Sequence, residues 1–217
     1  MPITVNYQSQ IQLREIGLTI MWRWLLATFG GFVTSLFWIE IGERHDMGII
    51  QGIIGGIAIA TPQSLILKQY ISQSRWWIFV STVTWGLIGL SGFGAVGWVA
   101  PQTIEPFLRL FYGIINGAEI GLALGIAQWF ILKRQIPHAQ AWIWVNIISW
   151  AVGLGVGWTI GGVLRQVTRL FIGDVVGLAV TWLIIGAITG YGLMRLLCFL
   201  PVEINHANTI LGRDYLN

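Results

Sequence analysis

The chain has 217 residues, 55% of them hydrophobic and 10% charged, with a formal net charge of +3 and a mean hydropathy of +0.73. A soluble domain carries roughly a quarter charged residues, so this composition excludes an ordinary soluble fold. The single cysteine, Cys198, excludes an internal disulfide and cannot build a metal site alone.

Residues 1–21 are polar and mixed, with no basic stretch leading into a short apolar core, so no cleavable signal peptide is expected there. They read as a cytoplasmic N-terminal segment. Six apolar runs follow, at about 22–39, 47–67, 76–100, 108–132, 141–164 and 174–198. Each is close to the ~20 residues needed to cross a ~30 Å hydrocarbon core. Backbone amides in lipid must be satisfied within the segment, so each run predicts a helix. The fold class expected is an all-α integral membrane protein of six transmembrane helices, with a cytoplasmic tail at 199–217.

The basic residues fall mainly at one end of these spans. Arg14, Arg23, Lys68, Arg75, Lys133, Arg134, Arg195 and Arg213 lie on one side, against Arg44, Arg109, Arg165 and Arg169 on the other. The second side also holds Glu40, Glu43, Asp46, Glu105 and Asp174. The positive-inside rule then places both termini in the cytoplasm. The basic excess thus has a topological explanation, and no nucleic-acid partner is expected.

Residues 48–98 and 113–163 match without a gap at 17 positions, an offset of 65 residues. Gly48, Gly52, Gly56, Gln63, Leu67, Lys68, Trp77 and Trp85 fall on Gly113, Gly117, Gly121, Gln128, Leu132, Lys133, Trp142 and Trp150. Weaker echoes at the ends (Trp22-Arg23-Trp24, and Gly173 to Arg195) suggest a third copy. The expected organisation is three consecutive hairpins, about 22–67, 76–132 and 141–198, all inserted the same way round. That makes a parallel repeat about an axis along the membrane normal.

The spacing of small residues predicts how the helices pack. Gly113, Gly117, Gly121 and Gly125 recur every four residues; span 2 has Gly48, Gly52, Gly56 and Ala60, and span 5 has Gly153, Gly157 and Gly161. Such ridges allow close backbone approach in lipid. Gln63 and Gln128 continue the ridges near the basic end. They read as polar clasps to neighbouring helices, the alternative being that their carbonyls ligate a pigment or lipid head group. Pro62 beside Gln63 would bend span 2.

Glu119 departs from the repeat, standing where Ile54 stands in the sister helix. It is expected about two turns into span 4, nearly opposite the glycine ridge, with Asn116 on the same face. An intramembrane acid is by default a functional candidate. Two readings are open: a protonated or Arg-paired glutamate, with Arg109 as one partner, or a group handling a cation, proton or cofactor metal. Gln51 joins Glu119 and Asn116 as a candidate lining residue. The loop Glu43-Arg44-His45-Asp46 is dense in polar groups but contiguous, so it reads as solvated or as a partner contact rather than a metal site. His138 and His206 have no matching ligands.

Thirteen tryptophans are present. Trp22, Trp24, Trp76, Trp77, Trp142 and Trp144 at the inner side, and Trp38, Trp98 and Trp158 at the outer, suit an aromatic belt. Trp85, Trp150 and Trp182 lie nearer mid-membrane, where they pack the core or line a slot for a carotenoid, quinone or chlorophyll. No phosphate loop, His-Glu-x-x-His pair or nucleophile–base arrangement occurs. No catalytic residue, metal site or particular cofactor is assigned.

With its repeated Gly-x3-Gly…Gln-x3-Leu-Lys ends and Trp-rich return helices, the chain resembles a group of small Gly/Trp-rich polytopic membrane proteins common in cyanobacteria. The resemblance spans nearly all of residues 20–198. It implies a bacterial inner or thylakoid membrane and brings no activity or functional residue with it. The function expected is non-enzymatic association: support of a larger membrane complex, or binding of an apolar cofactor or lipid. The alternative is a small transporter or channel using Glu119.

Overall fold

A computed structural model describes residues 7–42, 48–91 and 95–198, with side chains described from Glu15 to Leu197 within those ranges. Six α-helices make up almost all of it: α1 (Tyr7–Ser35), α2 (Ile49–Leu67), α3 (Ser74–Leu90), α4 (Pro106–Leu132), α5 (Ala141–Thr168) and α6 (Ile172–Cys198). Five of them contain stretches long and apolar enough to cross a membrane: Glu15–Ser35, Ile49–Leu67, Pro106–Leu132, Ala141–Thr168 and Ile172–Leu197.

The helices form a closed ring. Each packs on its chain neighbours, and α6 returns to pack on α1. Contact is most extensive where glycines let backbones meet. A β carbon added at Gly52 would strike the Trp85 carbonyl of α3, and one at Gly117 the Trp150 carbonyl of α5. At Gly121 it would lie 2.5 Å from the Asn146 carbonyl oxygen, and at Gly125 2.9 Å from the Ile143 Cα. Gly56 faces the Thr82 Cα of α3 in the same way, whereas Gly153 and Gly157 of α5 face Thr181 of α6. The tight pairs include α2 with α3, α4 with α5, α5 with α6, and α1 with α2, where a β carbon on Gly31 would lie 2.7 Å from the Ala58 carbonyl oxygen. The first two fall within the duplicated 51-residue segments.

Two expected boundaries move. The run 76–100 is not one helix: α3 ends at Leu90, at the start of Ser91-Gly92-Phe93-Gly94. Glycine favours leaving the helix, while Phe, Ala, Val and Trp keep hydropathy high past the break. Residues 95–100 form an irregular segment with one 3-10 turn, Val96–Trp98, packed into the far end of the bundle. Its backbone is joined to the other helix connection through Ala100 N–H to the Gly42 carbonyl at 2.9 Å. Non-helical backbone is tolerated at such a place because it is buried in protein. Second, α1 begins at Tyr7, within the segment expected to precede the first span, and ends at Ser35 rather than 39. α2 runs through Pro62 to its expected end at Leu67 as one helix.

Candidate functional site

Tryptophan organises the interior in two layers. At the basic end Trp24, Trp77 and Trp142, contributed by α1, α3 and α5, form a triangle with ring centroids 5.8–6.0 Å apart. All three are buried, while Trp22, Trp76 and Trp144 are 56, 55 and 66% exposed. The expected inner belt thus divides into a core triangle and an outward-facing set. Helical phase explains the division: neighbours one or two residues apart point to different faces.

The indole N–H groups of the triangle point to the even helices. Trp77 Nε1 donates to Gln63 Oε1 at 3.1 Å, and Trp142 Nε1 donates to Gln128 Oε1 at 2.9 Å, both across 14 residues of chain. Trp24 Nε1 donates to Thr189 Oγ1 at 2.9 Å. The glutamine amides donate onward: Gln63 Nε2 to Thr28 Oγ1 at 2.9 Å, Gln128 Nε2 to Ser81 Oγ at 3.0 Å. Asn146, which matches Ser81 in the repeat, donates to its own helix at Trp142 O. Both glutamine carbonyls therefore already accept an indole N–H. A central cavity of about 30 Å³ lies among these side chains, room for a water molecule and no larger ligand.

The second layer closes the axis beyond that cavity. Trp85, Trp150 and Trp182 lie 5.1–6.2 Å apart, with Trp98 and Phe32 each 5.5 Å from Trp182. Trp182 donates to the Gly97 carbonyl at 3.0 Å, and Trp98 to Ser35 Oγ at 2.7 Å. Trp98 and Trp158, expected in the outer belt, are buried; Trp38 is exposed. No slot for a flat ligand opens between the rings of this layer.

Arg109 is fully buried at the far end and is bound to Asp174, with Nη1 2.5 Å from Oδ1. It also donates to the carbonyls of Thr103, Trp158 and Pro101, and Arg165 binds the other Asp174 oxygen at 2.9 Å. Arg109, one candidate partner for Glu119, is thus paired with Asp174 instead. Nothing in the local pattern links Arg109 to Asp174, 65 residues away; both being polar residues at far-end helix starts was the available signal.

Glu119 is exposed on the outer face of α4, thirteen residues from each end of the helix. At 1.5 Å per residue it is ~20 Å from either end, deeper than two turns. Counted from the start of the apolar run at 108 it is already about three turns in, so the expected depth was too shallow by count. Glu119 and Asn116 line one groove of about 650 Å³ between α3 and α4, with Thr84, Ser91, Ala123 and Ala127 among its walls. Asn116 Nδ2 donates to the Tyr112 carbonyl at 2.7 Å. Gln51 is half-exposed on α2 and is not part of this groove. A second groove of about 660 Å³ lies between α1 and α2, where Ile54 holds the position of Glu119.

The polar loop at 43–46, His206 and the Cys198 side chain lie outside the described residues. Among the described residues no group of three or more His, Cys, Asp or Glu is placed to hold a metal. No family model matches the chain, and comparison with curated proteins and with solved structures returned no significant match.

Proposed function

We propose that this is a six-span integral membrane protein of a bacterial inner or thylakoid membrane, with both termini cytoplasmic, that acts without catalysis by associating with other membrane components. The observation behind this reading is a filled interior with its large grooves on the outside. The ring axis is filled by two tryptophan layers around a water-sized cavity, while the mid-helix carboxyl and both large grooves face outward. A bundle built this way offers its binding surface to the bilayer and to whatever shares it. α3 is short for a span at 17 residues; the segment 95–100 carries the chain on beyond it, buried among the helices.

The repeat that fits this surface has three units in the register α2–α3, α4–α5 and α6–α1, the last divided between the two ends of the chain. The support is positional. Gln63, Gln128 and Thr189 receive the indoles of Trp77, Trp142 and Trp24, and Thr28, Ser81 and Asn146 each stand four residues after one of those tryptophans. Transport along the ring axis is the weaker reading, because Glu119, Asn116 and Gln51 do not meet around an interior path.

Purification from the native membrane in mild detergent, recording particle mass and absorption spectrum together, tests association. Co-migration with other subunits, or a bound chromophore, is the expected result. A colourless particle with the mass of one chain and its detergent would defeat the reading. Transport would then be tested by labelling a cysteine at position 119 with a membrane-impermeant thiol reagent.

A further inference from the structure

We propose that the α3/α4 groove seats a transmembrane helix of a partner protein that presents a lysine or arginine to Glu119 at mid-bilayer. This rests on the association reading and names the partner's chemistry. Glu119 has no hydrogen-bond or ion-pair partner among the described residues, and the one cation buried in the far half of α4, Arg109, is held by Asp174. A carboxyl left alone on a lipid-facing helix is an expensive group. The fold does not need it, since the sister groove has Ile54 at the matching position.

Charge complementarity selects the occupant. A cation facing Glu119 converts two groups that are each unfavourable in hydrocarbon into a pair. A cationic amphiphile keeps its charged head at the interface, ~20 Å from this depth. Among the described residues a second copy of this chain offers no suitable cation. Its described basic residues Lys68, Arg75, Lys133, Arg134 and Arg195 lie at one end and Arg165 and Arg169 at the other. Arg23 precedes the Trp24 of the basic-end triangle, and Gln128 at that level is nine residues, ~13 Å, from Glu119. The groove itself suits a helix: its walls include small side chains at Ala123, Ala127, Thr84 and Ser91, and it runs between the ring neighbours in least extensive contact.

The test uses the full-length protein in phosphatidylcholine vesicles with two synthetic Leu/Ala transmembrane helices, one with a central lysine and one with a central leucine. Energy transfer from a dye on a C-terminal tag to a dye on the helix reports association. The lysine helix should bind roughly tenfold more tightly than the leucine helix. Glu119→Gln should abolish that difference with the melting curve unchanged, and Glu119→Asp should retain most of it. Equal binding of the two helices, or a preference that survives Glu119→Gln, overturns the proposal. So does a visible absorption band of the native particle that disappears in Glu119→Gln, which would make the occupant a pigment. A native complex that persists in Glu119→Gln defeats this proposal alone, whereas a solitary wild-type particle defeats the association reading beneath it.

Discussion

Gln63 and Gln128 each join three helices through one amide. Gln128 of α4 accepts from Trp142 of α5 and donates to Ser81 of α3; Gln63 of α2 does the same with Trp77 of α3 and Thr28 of α1. Replacing Gln128 by Leu leaves the Trp142 indole and the Ser81 hydroxyl without these partners in the core. A buried donor left unsatisfied costs about 1–3 kcal/mol, so Gln128→Leu should lower stability by that amount in denaturant titrations in detergent. Gln51→Leu, at a half-exposed position, should leave the same curve in place. The positions of the glutamines were legible because the repeat preserves them. Their indole partners were not read from the sequence, because a shared 14-residue separation of Gln and Trp does not by itself say which groups meet in space. The role of Arg109 was not legible, since its carboxylate stands on another helix.

The helices are decided by small residues more than by large ones. Gly117 faces the Trp150 carbonyl with no room for a β carbon, whereas Gly30 of α1 has nothing within 4 Å of where its β carbon would stand. Gly117→Ala should therefore destabilise by about 1–3 kcal/mol through overpacking, and Gly117→Leu by more. Gly30→Ala should be neutral or slightly stabilising, since alanine is the better helix former. Thermal unfolding of the three variants beside wild type separates these outcomes; a wild-type curve for Gly117→Leu would remove α4–α5 close packing from this account. At this scale the four-residue spacing foretold which faces would be close-packed. It did not foretell the end of α3, because hydropathy measures the cost of exposure to water and is indifferent to whether apolar backbone is helical.

The ring as a whole joins its ends: α6 packs on α1, with Gly190 next to Met21 and Gly186 next to Leu25. On the proposed register the third unit is α6–α1, and the chain can be reopened without dividing any unit. A circular permutant beginning at Gly48, with residue 198 linked to residue 7 by a flexible connection, should fold with wild-type tryptophan fluorescence and a comparable melting temperature. Opening the chain instead between α4 and α5 divides a glycine-packed unit and should cost more. Equal tolerance of both openings would remove the distinction between units and their connections.

Local chemistry was sufficient for part of this. Apolar runs are properties of short stretches, and they determined an all-helical chain with membrane-length apolar helices. The tertiary structure alone decided which helices pair, that Trp98 turns inward on a buried loop, that Arg109 belongs to Asp174, and that Glu119 stands at mid-helix with no partner among the described residues. Each of these depends on where a side chain's neighbour lies in space. Helical phase assigns a residue to a face of its own helix, but only ring closure decides whether that face meets a partner or the bilayer.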